Sequence, residues 1–471
     1  MLGFSNQTIA DLLYWVTRKR WLIAAFSISL FLFYIPSPAF LSPEAHRTLI
    51  IVVITLILII GEVIPLPAVA ILILILEVVL GIDTPNGVAK SFMSDAVFFI
   101  MGSLMMAVAI VSQGLDKRLA LGIIKLTGNK TWRIVFGFVA ISSILSSFIG
   151  EHTVAAMMLP VALTLIRNTS DDQKTVHRLS TILLFSIAYG CAMGSIGTPS
   201  GGGRNVIMIG YISEFGLGNI SYLDWIKYTY PMLLLEIPIA VAILWMTFKP
   251  DQRILDSAVR KLKVKVAKTG AMTGNQIMAI GIFFLVFLGW VFLSPYLGLG
   301  IVALIGVFLY LSFGLIEWQD INRNTNWGVI LLFGAAISLG VQMKQTGAAE
   351  WVATQSINGM SILVNDLGFM QWFISVFLTG ILTNFLSNAA TVAVLGPVVL
   401  DMGGNPIILG ISASIASSFA YLTIVASPTC MIIHSSGLVK SSDYLKAGWK
   451  LFVISIVILF LISNLYWPYL S

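Results

Sequence analysis

Long runs of almost wholly apolar residues recur along the whole chain, at 21–35, 48–64, 68–82, 97–112, 132–148, 155–166, 179–193 and 230–248, and again from 276 to 468. Surface helices show apolar residues only every third or fourth position, and strands are far shorter. About 20 apolar residues make one helical bilayer crossing. A helix is also the form in which one segment satisfies its own backbone groups in lipid. With 471 residues, 58% hydrophobic and 10% charged, the chain has room for roughly ten to fourteen passes. Soluble domains carry about a quarter charged residues, so a soluble enzyme, a disordered chain and a nucleic-acid binder are excluded. The net charge of +6 calls for no polyanionic partner.

Arg18, Lys19 and Arg20 precede the first run, which places the N-terminus in the cytoplasm of a multi-pass inner-membrane protein. Residues 1–19 are polar, aromatic and basic without a cleavage site, so no cleavable signal peptide is expected. Residues 249–273 form the only long hydrophilic connection, with six Lys or Arg between Arg253 and Lys268. They are expected to be a cytoplasmic linker, either a solvated basic helix or a lipid-headgroup contact. Cys191 and Cys430 lie in apolar stretches and suggest neither disulfide nor metal site. The histidines, His46, His152, His177 and His434, are scattered, and no His-Glu-x-x-His occurs. Neither an enzyme nor a bound cofactor is expected.

Three segment pairs match in order on either side of the linker. GSLMMAVAIVSQG at 102–114 resembles GAAISLGVQMKQTG at 334–347. FIGEHTVAAMMLP at 148–160 aligns without gaps to FLSNAATVAVLGP at 385–397. The glycine-rich break at 194–205 is echoed by one at 426–437, with Ser427, Pro428 and Thr429. Two repeats interrupted at corresponding places are the best sequence pointer to a secondary-transporter site. Broken helices leave free amides, which attract anions, and free carbonyls, which attract cations. The apolar arms beside the polar knots 150–153 and 387–391 are short for a full crossing, so both knots are expected to be tips of re-entrant hairpins. The expected fold is an all-α polytopic membrane protein. It has roughly 11 transmembrane helices plus two re-entrant hairpins, in two inverted repeats.

Several polar groups are expected at membrane depth, where an ionisable residue is costly unless paired or solvated. Glu151 and His152, adjacent at the first tip, can neutralise each other or contact a substrate or proton. Thr153 can cap the following half-helix. Ser387 and Asn388 can cap the second tip or bind a solute oxygen or a cation. In the first break, Ser200, Arg204 and Asn205 are candidate ligands. Arg204 either snorkels to an interface or captures a carboxylate in bidentate fashion. Glu62, Glu77 and Glu236 are expected to be interface or structural residues.

At these residues the chain resembles the divalent anion/sodium symporter family of dicarboxylate transporters. That family carries Ser-Asn-Thr motifs at two hairpin tips and a Gly-Thr-x-x-Gly-Thr-Pro-Pro-Asn type break. Here the second tip reads Ser387-Asn388-Ala389, and the break GTPSGGGRN matches at Gly197, Thr198, Gly201 and Asn205. The first tip instead reads Gly150-Glu151-His152, like a Glu-His-Thr branch of the family. The resemblance implies a carrier of small dicarboxylates such as succinate, malate, fumarate or 2-oxoglutarate. Its site would be formed by Glu151, His152, Thr153, Ser200, Arg204, Asn205, Ser387, Asn388, Ala389, Ser427, Pro428 and Thr429. It further implies a homodimer with a scaffold (1–125 and 221–346, including the linker 249–273) and a mobile transport domain (126–220 and 347–471) that moves like an elevator. In sodium-coupled members the tip Asn and nearby backbone oxygens hold sodium. Glu151 replaces that Asn here, and His152 and Arg204 supply fixed positive charge. Sodium-independent exchange of dicarboxylates is therefore expected, with sodium-coupled symport as the alternative.

Overall fold

A computed structural model describes residues 20–38, 40–61, 64–115, 127–167, 173–267, 270–360, 366–424 and 426–470. Glu62 and the basic residues Arg18, Lys19, Lys117 and Arg118 lie outside the described residues. The chain is all helical, with no strand among the described residues and a single isolated bridge between Lys130 and Ile254. In the first half the helices are α1 (Arg20–Tyr34), α2 (Pro43–Gly61), α3 (Leu66–Val79), α4 (Pro85–Phe92), α5 (Asp95–Ser112), α6 (Thr131–Ile149), α7 (Glu151–Ile166), α8 (Gln173–Gly194), α9 (Gly203–Glu214) and α10 (Tyr222–Phe248). The connecting segment forms α11 (Asp256–Ala267). The second half has α12 (Gly274–Phe292), α13 (Ser294–Ser312), α14 (Trp318–Asn324), α15 (Trp327–Gln345), α16 (Ala348–Met360), α17 (Leu367–Leu382), α18 (Asn388–Leu400), α19 (Pro406–Ala416), α20 (Pro428–His434) and α21 (Ser441–Leu465).

Nine helices among the described residues are long and apolar enough to cross a membrane, and α1, α3, α7, α17, α18 and α19 are shorter apolar helices. The order hairpin, broken helix, long helix occurs twice: α6–α7, α8/α9, α10, and then α17–α18, α19/α20, α21. Each broken helix counts as one pass of two halves. With the hairpin arm α6 set aside and α1 and α3 included, the layout is the expected eleven passes plus two hairpins.

Local chemistry explains where the helices start and stop. Gly150 takes φ 83°, a conformation only glycine adopts without strain, and so turns the chain between α6 and α7. Ser387 caps α18 by accepting from the Ala390 amide at 3.3 Å, and Ser427 caps α20 by accepting from the Cys430 amide at 3.2 Å. The second break differs from its expected place. Helix α19 already ends at Ala416, irregular chain follows, and helix resumes at Pro428. The capped Ser427-Pro428 pair is a helix start, so the interruption precedes it rather than follows it.

Helix packing separates two groups. Helices α1–α5 pack with α12, α13 and α15, while α6–α8 and α10 pack among themselves and with α20 and α21, and α9 packs on α18 and α19 of the second hairpin and break. Helix α10 rests on α6, α8 and α21, and its first residue, Tyr222, stacks on Trp290 of α12 with ring centroids 5.2 Å apart. The linker is docked to the hairpin group: Thr131 donates through its amide to the Arg253 carbonyl at 2.9 Å, and Arg178 pairs with Asp251 at 2.6 Å. Between the groups, α15 packs on α9 and α18. There the Tyr211 hydroxyl lies 2.8 Å from the carbonyls of both Ala336 and Ala393.

Helices α6 and α8 approach closely because small residues line their contact, as is usual where lipid gives no hydrophobic push between helices. A Cβ on Gly194 would stand 2.1 Å from the Ser143 carbonyl oxygen. Gly194→Val should therefore force the two helices apart, at a cost of about 1–3 kcal/mol or more. A lower unfolding temperature in detergent checks this; an unchanged one would refute the close packing.

Candidate functional site

The two hairpin tips meet in the interior. Asn388, the first residue of α18, donates through Nδ2 to Glu151 Oε1 at 3.1 Å, joining residues 237 positions apart. The Ser195 hydroxyl, at the end of the first break's helix, lies 3.4 Å from Glu151 Oε2. Arg204, in the first turn of α9, donates through Nη2 to the Ser195 hydroxyl, and its Nη1 stands 3.8 Å from Glu151 Oε1. All four side chains are buried. The carboxylate is thus held by one amide, one hydroxyl and one guanidinium. A charge in such a place would otherwise carry a desolvation cost of several kcal/mol. The Arg204 Nε has no hydrogen-bond partner.

Each hairpin is fastened to the break of its own repeat by side-chain donors on backbone carbonyls. At the first tip, Ser146 donates to Cys191 at 2.6 Å, Ser147 to Gly194 at 2.8 Å, and Thr198 to Ser147. At the second, Thr383 donates to Ser417 at 2.6 Å, and Asn384 to Phe419 at 3.2 Å. Asn384 also accepts from the Leu422 amide at 2.9 Å. Carbonyls at a broken helix end find no donors in lipid; turn amides meet those of Cys191, Gly194 and Phe419, and these Ser, Thr and Asn side chains add donors to them.

The expected site residues fall into three groups. Glu151, Arg204 and Asn388 come together at the tip junction. Asn205, Ser200 and Ser427 are structural within their breaks. Asn205 donates to the carbonyls of Ser195 and Thr198, both at 2.8 Å, and accepts from Ser414 at 3.2 Å. Ser200 bonds the Tyr222 hydroxyl at 2.9 Å and that of Thr198 at 3.0 Å. Pro428 opens α20, and Thr429 beside it is buried with an unpartnered hydroxyl. Ala389 lines an apolar crevice with Phe333 and Ala336 of α15. Three expectations are corrected. Glu151 does not pair with His152: it points inward to Arg204, while His152 is exposed and folds back against Gly150. Arg204 does not snorkel; it is 2% exposed. Thr153 does not cap α7, because the helix starts at Glu151 and its N-cap is Gly150.

Sequence inspection missed Ser195, Thr383 and Asn384. The signal available for the last two was their position one turn before the second knot; Ser195 carries none beyond its place after a glycine.

Glu151→Gln should leave the Arg204 charge buried without a counterion, which typically costs about 3–5 kcal/mol. Adding Arg204→Met should recover most of that loss. A double-mutant cycle on thermal unfolding checks this coupling; strictly additive losses would show that the two side chains are independent.

The family profile described as the sodium:sulfate symporter transmembrane region matches residues 17–471. An uncharacterized transporter of Haemophilus influenzae is 28% identical over 450 residues, covering 90% of this chain and 92% of that protein. The sodium-dependent high-affinity dicarboxylate transporter 3 of Caenorhabditis elegans is 27% identical, covering 82% of this chain and 77% of its own length. The sodium-dependent dicarboxylate transporter SdcS of Staphylococcus saprophyticus is 27% identical over 86% of this chain and 82% of its own. In fold, the chain is similar to the YdaH transporter of Alcanivorax borkumensis, with a TM-score of 0.55 at 12% identity over 83% of this chain and 89% of that one. The match over almost the whole length, with the paired hairpins and breaks, establishes that the chain is a polytopic membrane protein of the divalent anion/sodium symporter family, a transporter rather than an enzyme.

Proposed function

We propose that the chain carries small dicarboxylates of the succinate, malate, fumarate and 2-oxoglutarate type, and that it exchanges one for another without sodium. One observation carries the reading: a buried guanidinium, Arg204, stands beside the junction of the two hairpin tips with Glu151, at 3.8 Å, as its only ionic partner among the described residues. A substrate carboxylate can take the guanidinium, with Asn388 and the hydroxyls of the tips orienting it. The dicarboxylate names of the relatives agree with such a substrate.

The coupling follows from charge. Two negative charges in a medium of low dielectric must be offset, and here part of the offset is fixed in the protein. An empty site would carry its fixed positive charge across unscreened, so return with a second anion is favoured. The Glu151 carboxylate reduces the fixed charge, and the relatives' sodium-dependent names favour the second reading, sodium-coupled symport.

The helices around the hairpins, α6–α11 and α17–α21, form the moving unit in this proposal, and α1–α5 with α12–α15 form a scaffold through which two copies pair. Placing α10 and the linker helix α11 in the moving unit departs from the sequence expectation, because α10 rests on α6, α8 and α21 and α11 rests on α7. The protein would lie in the inner membrane with its N-terminus and the 249–273 linker in the cytoplasm, and the unit would move in an elevator-like step.

Labelled succinate uptake into proteoliposomes tests the exchange. Uptake should require internal dicarboxylate and proceed at zero sodium. Strong uptake without counter-substrate, driven only by an inward sodium gradient, would establish symport instead.

A further inference from the structure

Behind the tip junction lies a second buried carboxyl that the transport site does not use. Glu236, midway along α10, is fully buried, and neither of its oxygens has a hydrogen-bond partner among the described residues. Two hydroxyls with the same two properties accompany it, Ser455 of α21 and Tyr421 of the second break. Ser455 neighbours both Glu236 and Tyr421, and the Tyr421 hydroxyl is within electrostatic reach of both Glu236 and Arg204. The order is therefore Glu236, Ser455, Tyr421, Arg204, Glu151, running from the back of α10 to the hairpin tips.

No cation faces Glu236 directly among the described residues. Helix α12 has no ionisable side chain, and α6 has only Arg133, in its first turn. Helix α8 contributes Tyr189 and Cys191 at this depth. At the polar ends of α8 and α21, Arg178 pairs with Asp251 at 2.6 Å, His177 lies 3.4 Å from Asp443, Lys446 lies 2.9 Å from Asp443, and Lys450 donates to Thr247 at 3.0 Å. A lone ionised carboxylate in such surroundings is far costlier than a neutral acid, which asks only for the hydrogen bonding of a buried hydroxyl.

We propose that Glu236 is a proton-binding site of the moving unit, its carboxylate taking one proton from water and returning it. The Ser455 and Tyr421 hydroxyls rotate to donate to the carboxylate or to accept from the acid. Through Tyr421 the charge of Glu236 bears on Arg204. An ionised Glu236 competes with an arriving anion for the guanidinium, so protonation strengthens anion binding. By reciprocity, anion binding draws a proton onto Glu236. This linkage rests on Arg204 receiving the substrate carboxylate, as proposed above; the proton site itself does not.

Two readouts on the full-length protein in detergent separate the claims. Infrared difference spectra between acid and alkaline buffer, without substrate, should show a protonated-carboxyl band that Glu236→Gln lacks. Its presence in both proteins, or in neither, overturns the proton site. With succinate as probe, wild-type affinity should fall at least severalfold as pH rises, with proton uptake on binding seen by a pH dye. Glu236→Gln should bind with the low-pH affinity at every pH and take up no proton. Unchanged pH dependence in Glu236→Gln would overturn the linkage. Absence of succinate binding to both proteins would instead refute the substrate assignment and leave the infrared result to decide Glu236. The amide has the shape and hydrogen-bonding capacity of the neutral acid, so failure of Glu236→Gln to fold would also contradict the proposal.

Discussion

Glu151 is the group on which the interior depends. Its carboxylate lies at the one place where the first hairpin, the first break and the second hairpin converge, and it bonds Asn388 at 3.1 Å while facing Arg204 at 3.8 Å. Burying either charge alone would cost several kcal/mol. Together, with Ser195 between them, they are neutral as a pair and share hydrogen bonds. The pair therefore fixes how the two halves of the chain sit against each other and leaves a guanidinium available at the centre of the protein.

Around that pair the fold solves a second problem. A broken helix in lipid exposes carbonyls that need donors. Both repeats answer in the same way, with Ser, Thr or Asn of the hairpin bonding carbonyls of the adjacent break. Bonds also join the repeats: Asn388 with Glu151, Ser414 with Asn205 at 3.2 Å, and Tyr211 with the Ala393 carbonyl at 2.8 Å. Each hairpin and its break thus form one stitched unit. Between those units lies a small polar junction, a suitable place for a solute to enter without unravelling either repeat.

Much of this was legible in the sequence, for physical reasons. The tips and breaks stand out because glycines and polar residues interrupt apolar runs that lipid otherwise requires. Gly150 and the Ser387-Asn388 pair mark the hairpin turns within a residue or two. What spacing along the chain could not supply was partnership across it. Glu151 next to His152 suggested a local pair, yet Glu151 is met by residues 44 and 237 positions away. The chain from 417 to 421 reads as helix, since Ser417, Ser418 and Phe419 are all tolerated in one. Tertiary bonds from Thr383 and Asn384 hold it open instead. The family resemblance assigns helix α10 to the scaffold, and spacing along the chain could not show that it packs on α6, α8 and α21.

The central claim is that the buried Arg204 receives a substrate carboxylate between the hairpin tips. The most direct test compares the wild type with the Glu151→Gln, Arg204→Met double variant, in which the charged pair is removed together. The unfolding temperature in detergent is measured with and without succinate, since a ligand bound to the folded state stabilises it in proportion to its occupancy. The account predicts that succinate raises the unfolding temperature of the wild type and leaves that of the double variant where it was. An equal rise in both proteins would place the anion elsewhere and contradict the account.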